Sequence, residues 1–249
     1  MKIIGISILL FFIGTTEEIV AQAKTIEVKS FDKVIISPYI EVVFKEGTQE
    51  TVTVEDINIP IEKLNIEVNN EVLHVYLDGA RITSPTKKEK RNGWKQKVPI
   101  YKGTIAKITV TYKDVKTFAL RGEEKIVFED SLQQEECILN IYGESQIYIK
   151  EVIVDNLKVA IHGESYLEIM KGEVTGQKFT VYGEGKVNAS SVKSKFTRIT
   201  AYGDGDFQFN ASEKMKITAY GEPTIIYSGS ARLSKGLVIG EATIKKVSE

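Results

Sequence analysis

Seven acidic residues recur at near-constant intervals along the chain, and their side chains could bind cations. Each follows a glycine, and successive Gly-acid pairs lie 18 to 21 residues apart. These carboxylates are Glu123, Glu144, Glu164, Glu184, Asp204, Glu222 and Glu241. If the chain stacks with this period, they form a line of like charges about 5 Å apart. Such a line repels itself, so water, interleaved lysines or bound cations must offset the repulsion.

Three interpretations of this row are open. The first is a row of solvated carboxylates beside stacked tyrosines. The second is a weak site for Ca²⁺ or another cation, formed by Glu144, Glu164, Glu184, Asp204 and Glu222. Calcium takes about six to eight oxygen ligands, which single carboxylates supply poorly, so no metal site is assigned and no cofactor is expected. The third is a stripe that contacts sugar or protein through the tyrosines preceding the glycines, namely Tyr142, Tyr182, Tyr202 and Tyr220.

The elements that position these side chains are predicted to be strands. Apolar residues lie four positions after each glycine: Ile126, Ile147, Leu167, Val187, Phe207, Ile225 and Ile244. They also lie two positions before it: Leu120, Ile141, Ile161, Val181, Ala201, Ala219 and Val238. Alternation with polar residues predicts strands with one buried face, and the period predicts an all-β parallel β-helix, or β-solenoid, with about 20-residue coils. A meander of hairpins is the alternative.

The organisation predicted from these patterns is a signal peptide over residues 1–23 and one solenoid domain over residues 24–249. Residues 118–249 carry the regular Gly-Glu repeats, whereas residues 24–117 read as irregular strands that cap the open end of the solenoid. Strands over residues 64–68 and 73–77 flank Asn69-Asn70, which predicts a hairpin.

A basic segment over residues 83–97 interrupts the N-terminal part. It carries Lys87, Lys88, Lys90, Arg91, Lys95 and Lys97 around Trp94. One interpretation is a solvated insertion loop between two strands. The other is a docking patch for an anionic partner such as a polysaccharide, a lipid headgroup or a protein. The candidate partner surface combines the four tyrosines with six residues of this segment: Lys87, Lys88, Lys90, Arg91, Trp94 and Lys95.

The N-terminus predicts export. Lys2 precedes an apolar run over residues 3–13, and Ala21-Gln22-Ala23 matches a cleavage site. The run is shorter than the roughly 20 residues of a transmembrane helix, and no later stretch is long enough. The mature chain is therefore expected in the periplasm, on the outer-membrane surface or outside the cell, without a transmembrane segment. An uncleaved anchor is the alternative.

Composition narrows the function classes. The 33 basic and 34 acidic residues give a net charge of −1, which provides no general attraction to nucleic acid. One cysteine and two histidines leave little for disulfides, zinc sites or a His-based triad. Cys137 is expected to be a small buried hydrophobe, and His162 takes a tyrosine position in the repeat.

Phe31-Asp32-Lys33-Val34, followed by glycine-centred β repeats, resembles the putative auto-transporter adhesin head GIN domain family of exported bacterial proteins. The resemblance covers roughly residues 28–246, implies a right-handed β-helix, and brings no catalytic residues. The family's repeats carry Gly-Ser-Gly or a similar small triplet, whereas this chain has an acidic middle residue, as in Gly143-Glu144-Ser145.

These observations predict an exported, non-enzymatic, adhesin-like binding module for a surface glycan or an envelope protein. Every coil repeats the same acid, whereas catalysis needs a unique constellation at one place. The alternatives are a carbohydrate-active β-helix protein of the lyase or hydrolase class and a purely structural envelope component.

Overall fold

The computed structural model describes residues 23–84, 86–91 and 94–248, so the predicted signal peptide lies outside the described residues except for Ala23. Within these ranges the chain forms strands and one short 3₁₀ turn, Ile61–Lys63, and contains no α-helix. The strands build a β-solenoid of about 6 turns with coils of about 20 residues. The predicted architecture is therefore confirmed, and the hairpin meander is not.

Nineteen strands make up the described part of the chain. The first nine are β1 (Lys24–Glu27), β2 (Lys33–Ile36), β3 (Ile40–Glu46), β4 (Thr51–Ile57), β5 (Leu64–Asn69), β6 (Val72–Leu77), β7 (Thr86–Arg91), β8 (Trp94–Pro99) and β9 (Ala106–Tyr112). The others are β10 (Thr117–Gly122), β11 (Lys125–Gly143), β12 (Gln146–Gly163), β13 (Tyr166–Ile169), β14 (Gly172–Tyr182), β15 (Lys186–Tyr202), β16 (Asp206–Tyr220), β17 (Thr224–Ser228), β18 (Arg232–Ile239) and β19 (Thr243–Lys246). All except β7 and β8 belong to one continuous sheet of 17 strands.

The first coil in the chain lies inside the stack. Strand β2 pairs in parallel with β6 on one side and with β10 on the other, and β3 likewise lies between β9 and β11. Beyond them β5, β4 and β1 pair antiparallel. These antiparallel strands cover the N-terminal end of the parallel stack, as the sequence predicts for a cap.

One turn of the cap differs slightly from its prediction. Strands β5 and β6 form the expected hairpin, but the turn falls at Asn70-Glu71 rather than Asn69-Asn70. Both turn residues have positive φ, 51° at Asn70 and 61° at Glu71. Two consecutive positive φ values are typical of the two-residue turn that matches the twist of a hairpin.

The regular coils pair in parallel register from β10 to β19, which places equivalent side chains of successive repeats one above another. The apolar columns predicted from the sequence are buried in every coil except the last, where Val238 and Ile244 are half-buried. At the N-terminal end Phe44, Phe118 and Phe128 pack with ring centroids 4.7–5.1 Å apart. Burying one face of every coil is what holds the stack together, since isolated coils expose that face.

Candidate functional site

Seven glycines turn the chain at one corner of the solenoid. Each has positive φ, from 105° to 129°, which a side chain strains to adopt. A methyl group on Gly183 would lie 2.7 Å from the carbonyl oxygen of Gly163, and one on Gly221 would lie 2.7 Å from that of Gly203. The glycines therefore form a single file in which successive backbones approach too closely for a Cβ. This confirms that positions about 20 residues apart are spatial neighbours.

The residues before the glycines form a continuous aromatic ladder. Its members are Tyr142, His162, Tyr182, Tyr202 and Tyr220, with centroids 4.7–5.1 Å apart and planes within 11° of parallel. The guanidinium of Arg121 lies over the exposed end at Tyr142, 5.3 Å from the ring centroid. His162 is stacked as a replacement for tyrosine, as predicted. Because the rings cover one another's faces, the interior members offer their edges to solvent rather than a flat platform for a sugar ring.

The carboxylates after the glycines are exposed along the same corner. The amides of Glu144 and Glu164 donate to the carbonyls of Gly122 and Gly143, both at 3.0 Å, so the row follows the stacking of the backbone. Asp204 Oδ1 accepts a 2.9 Å hydrogen bond from the amide of Glu222. Across the described residues no three or more His, Cys, Asp or Glu side chains are grouped so that they could hold a metal ion. The cation hypothesis for this row stays an untested alternative to solvated carboxylates.

The basic segment is a β-hairpin of its own rather than a loop. Strands β7 and β8 pair antiparallel and share no ladder with the solenoid sheet. Directly paired residues lie on one face of a hairpin, so the pairs Lys88–Lys97 and Lys90–Lys95 make a four-lysine face. Trp94, 77% exposed, lies on the other face.

The residues of the predicted docking patch are therefore divided between the two faces of the hairpin. Lys87, on the face of Trp94, pairs with Glu89 at 2.8 Å. The side chain of Arg91 lies outside the described residues. Strand alternation sends neighbouring residues to opposite faces, so Lys88, Lys90, Lys95 and Lys97 lie on the face opposite Trp94.

Two grooves follow the coils. The larger, about 1110 Å³, crosses the middle of strands β11, β12, β14, β15 and β16 and extends to residues 246–248. Glu135, Asp155 and Glu173 line one part of it, and Lys193 and Lys195 line another. The mixture of signs gives this groove no net preference for either charge.

The second groove is basic, and the sequence analysis missed it. It has a volume of about 470 Å³ and is lined by Lys158, Lys178, Arg198, Lys214 and Lys216. Four of these lie five residues before a glycine of the repeat, so the signal was present in the sequence as a column in the 20-residue register. This column lies outside the apolar, aromatic and acidic columns that occupy the four positions on either side of each glycine.

The thiol of Cys137 and the hydroxyl of Ser37 are both buried. Cys137 is fully buried, as predicted, and burial raises the pKa of its thiol to about 12. Ser37 is also fully buried; its hydroxyl donates to the carbonyl of Arg81 at 2.7 Å and lies 2.9 Å from His74 Nε2. Burial, followed by the charge of Arg81, lowers the pKa of His74. Neither group can reach a substrate in this arrangement.

The sequence family described as "Putative auto-transporter adhesin, head GIN domain" matches residues 30–231, and the chain belongs to this family. No curated protein is detectably similar in sequence. None of the helical structure in the described residues is long and apolar enough to cross a membrane.

Solved structures share the fold at low identity. A putative adhesin from Bacteroides fragilis NCTC 9343 has a TM-score of 0.75 at 20% identity, covering 91% of this chain and 96% of that chain. A putative adhesin from Parabacteroides merdae ATCC 43184 has a TM-score of 0.65 at 18% identity, covering 91% and 95%. A putative lipid binding protein from Parabacteroides distasonis ATCC 8503 has a TM-score of 0.63 at 17% identity, covering 91% and 96%.

Proposed function

We propose that the chain is an exported, non-enzymatic binding module that attaches to a glycan through the exposed columns of its solenoid. The observation that carries this proposal is the register of the stack, which places similar side chains one above another in successive coils. Such repetition makes long uniform surfaces, whereas a catalytic site needs different groups converging at one place. Membership in the adhesin family supports the same conclusion.

The location and domain organisation belong to the proposal. The basic start, the apolar run over residues 3–13 and Ala21-Gln22-Ala23 support export to the periplasm, the outer-membrane surface or the medium. The continuous 17-stranded sheet supports a single domain over residues 24–249. A glycan partner is favoured over an envelope protein because repeated columns suit a repeating polymer.

A glycan array probed with the chain from residue 24 onward tests the function. Retention of one or more glycans without released products is the expected result. Release of shortened or unsaturated products would instead indicate a lyase or hydrolase. Absence of both retention and turnover would favour a purely structural role.

The predicted contact residues are tested on the glycans that the array identifies. Trp94→Ala removes the exposed ring of the hairpin, and Lys88→Gln with Lys95→Gln neutralises its lysine face. Tyr182→Phe with Tyr202→Phe removes two ladder hydroxyls while keeping the stacked rings. A loss of retention in one variant assigns the contact to that surface, and unchanged retention in all three rejects the predicted partner surface.

A further inference from the structure

The basic groove is built from a ladder of cations in exact register between neighbouring strands. Lys158 pairs with Lys178, Lys178 with Arg198, and Arg198 with Lys216. Adjacent strands lie about 4.8 Å apart, so the ladder presents a positive charge at each step along the solenoid. Lys214 adds a further cation from the next outward column.

A missing side chain forms the hollow of the groove. Asn156, Gly176 and Phe196 are successive members of the outward column beside the ladder. A methyl group on Gly176 would meet only Asn156 Oδ1, at 3.7 Å, which is an ordinary contact. Neither crowding nor a positive φ requires glycine there, in contrast to the seven corner glycines. The effect of Gly176 is an open space next to the ring of Phe196, which is 44% exposed.

Most of the cations of the ladder lack a protein counter-ion. Lys158 forms an ion pair with Glu136 at one end. Among the described residues, no carboxylate lies within ion-pair distance of Lys178, Arg198, Lys214 or Lys216. Like charges on directly paired strand residues repel each other, so the folded chain carries a cost that an external anion with repeated charges would relieve.

We propose that this groove binds a linear polyanionic glycan whose sulfate or carboxylate groups repeat along the chain. The inference rests on the proposed function and names its ligand class and its site. The planar guanidinium of Arg198 can receive two oxygens of one anionic group, whereas the lysines act as point charges. Phe196 supplies an apolar face for a sugar ring beside the charges. A flat membrane surface fits less well, because its headgroups cannot follow a concave groove.

The first test measures binding of dextran sulfate and of uncharged dextran of the same length to the chain from residue 24 onward. Dextran sulfate is expected to bind and dextran is not. The groove variant Lys178→Gln/Arg198→Gln/Lys216→Gln is expected to lose about tenfold or more in affinity. The matched control Lys29→Gln/Lys63→Gln/Lys102→Gln removes the same charge from exposed positions outside the groove and should bind nearly as wild type. Equal losses in the two variants would overturn the proposal, because they would indicate attraction to overall charge.

A second test fills the hollow without changing any charge. Gly176→Val is expected to weaken dextran sulfate binding several-fold while the melting temperature stays the same or rises, and Gly176→Ala should have a smaller effect on binding. Wild-type affinity in Gly176→Val would place the ligand elsewhere and overturn the proposal.

The outcomes also separate this inference from the proposed function. Retention of only neutral glycans on the array would support the glycan-binding function but overturn the proposal that the groove binds a polyanionic glycan. Binding to phosphatidylglycerol vesicles without binding to dextran sulfate would overturn it in favour of a membrane partner. Retention of no glycan and no dextran sulfate would overturn both.

Discussion

The rings of Tyr182 and Tyr202 lie 4.7 Å apart and within 3° of parallel, although 20 residues separate them in the chain. The contact exists because Tyr182 and Tyr202 are paired residues of β14 and β15, one coil above the other. The same relation repeats from Tyr202 to Tyr220. The stacked rings therefore show that equivalent residues of successive coils lie one above another.

Removal of one ring from this ladder is expected to destabilise the fold. Tyr202→Ala loses stacking on both sides, and each stacked pair contributes about 0.5–1.5 kcal/mol beyond area burial. We expect the free energy of unfolding in urea to fall by about 1–3 kcal/mol. Tyr202→Phe keeps the ring and should stay near wild type. Equal stability of the alanine and phenylalanine variants would contradict a stabilising role for the stack.

Two glycines seven residues apart are expected to respond in opposite ways to alanine. Gly183 has φ of 114° and faces the carbonyl of Gly163, so Gly183→Ala should cost about 1–3 kcal/mol. Gly176 has open space around it, so Gly176→Ala should stabilise by about 0.5–1 kcal/mol. Urea unfolding of both variants checks this pair, and a cost at Gly176 as large as that at Gly183 would disprove the distinction.

Metal removal is expected to leave stability unchanged. The carboxylate row lacks any grouping of three or more metal-binding side chains within the described residues. Melting temperatures in excess EDTA and in millimolar Ca²⁺ should therefore coincide. A calcium-dependent rise that disappears in Glu164→Gln/Glu184→Gln would instead establish the cation site.

At low salt this double variant should be more stable by a few tenths of a kcal/mol, because it relieves like-charge repulsion.

The carboxyl of Glu124 should make stability depend on pH. Burial raises its pKa even though its Oε2 accepts a 3.0 Å hydrogen bond from the amide of Glu123. A raised pKa in the folded state favours folding below the unfolded value, and this contribution is lost as the pH rises through the folded value. Glu124→Gln should thus melt higher than wild type at pH 7, with the difference shrinking towards pH 4.

The control for this prediction is Glu213→Gln, which removes the same charge from an exposed position. Its melting temperature should follow wild type at every pH between 4 and 8. A difference between Glu124→Gln and wild type that stays constant over this range would show that the effect is not one of protonation.

Glu136 should limit the binding of anions at one end of the basic groove. Lys116 and Lys158 lower the pKa of its carboxyl to about 2, so it is charged from pH 4 to pH 8. Glu136→Gln releases Lys158 from its ion pair. We expect dextran sulfate affinity to rise a few-fold, with the same factor at pH 5 and pH 8. Unchanged or weaker binding, measured at low ionic strength, would show that Lys158 does not take part.

The sequence predicted the architecture because each coil of a solenoid contains a similar number of residues, so equivalent positions recur at that interval. Seven glycines with apolar residues at fixed offsets specified both the coil length and the buried face, since each coil meets the same environment. The stacked position of His162 and the burial of Cys137 followed from the same register. Position in the repeat alone therefore determined these features.

Other features depended on contacts that the period does not encode. The order of the first coils, with β2 and β3 placed between later strands, follows from long-range pairing. Residues 33–36 pair with residues 72–75, and residues 40–46 pair with residues 106–112. The two faces of the hairpin are set by the pairing of β7 with β8, because directly paired residues share a face. The basic groove required both a column of cations and an empty position at Gly176. Only the tertiary structure brought these together, because a hollow is a property of side chains from several coils at once.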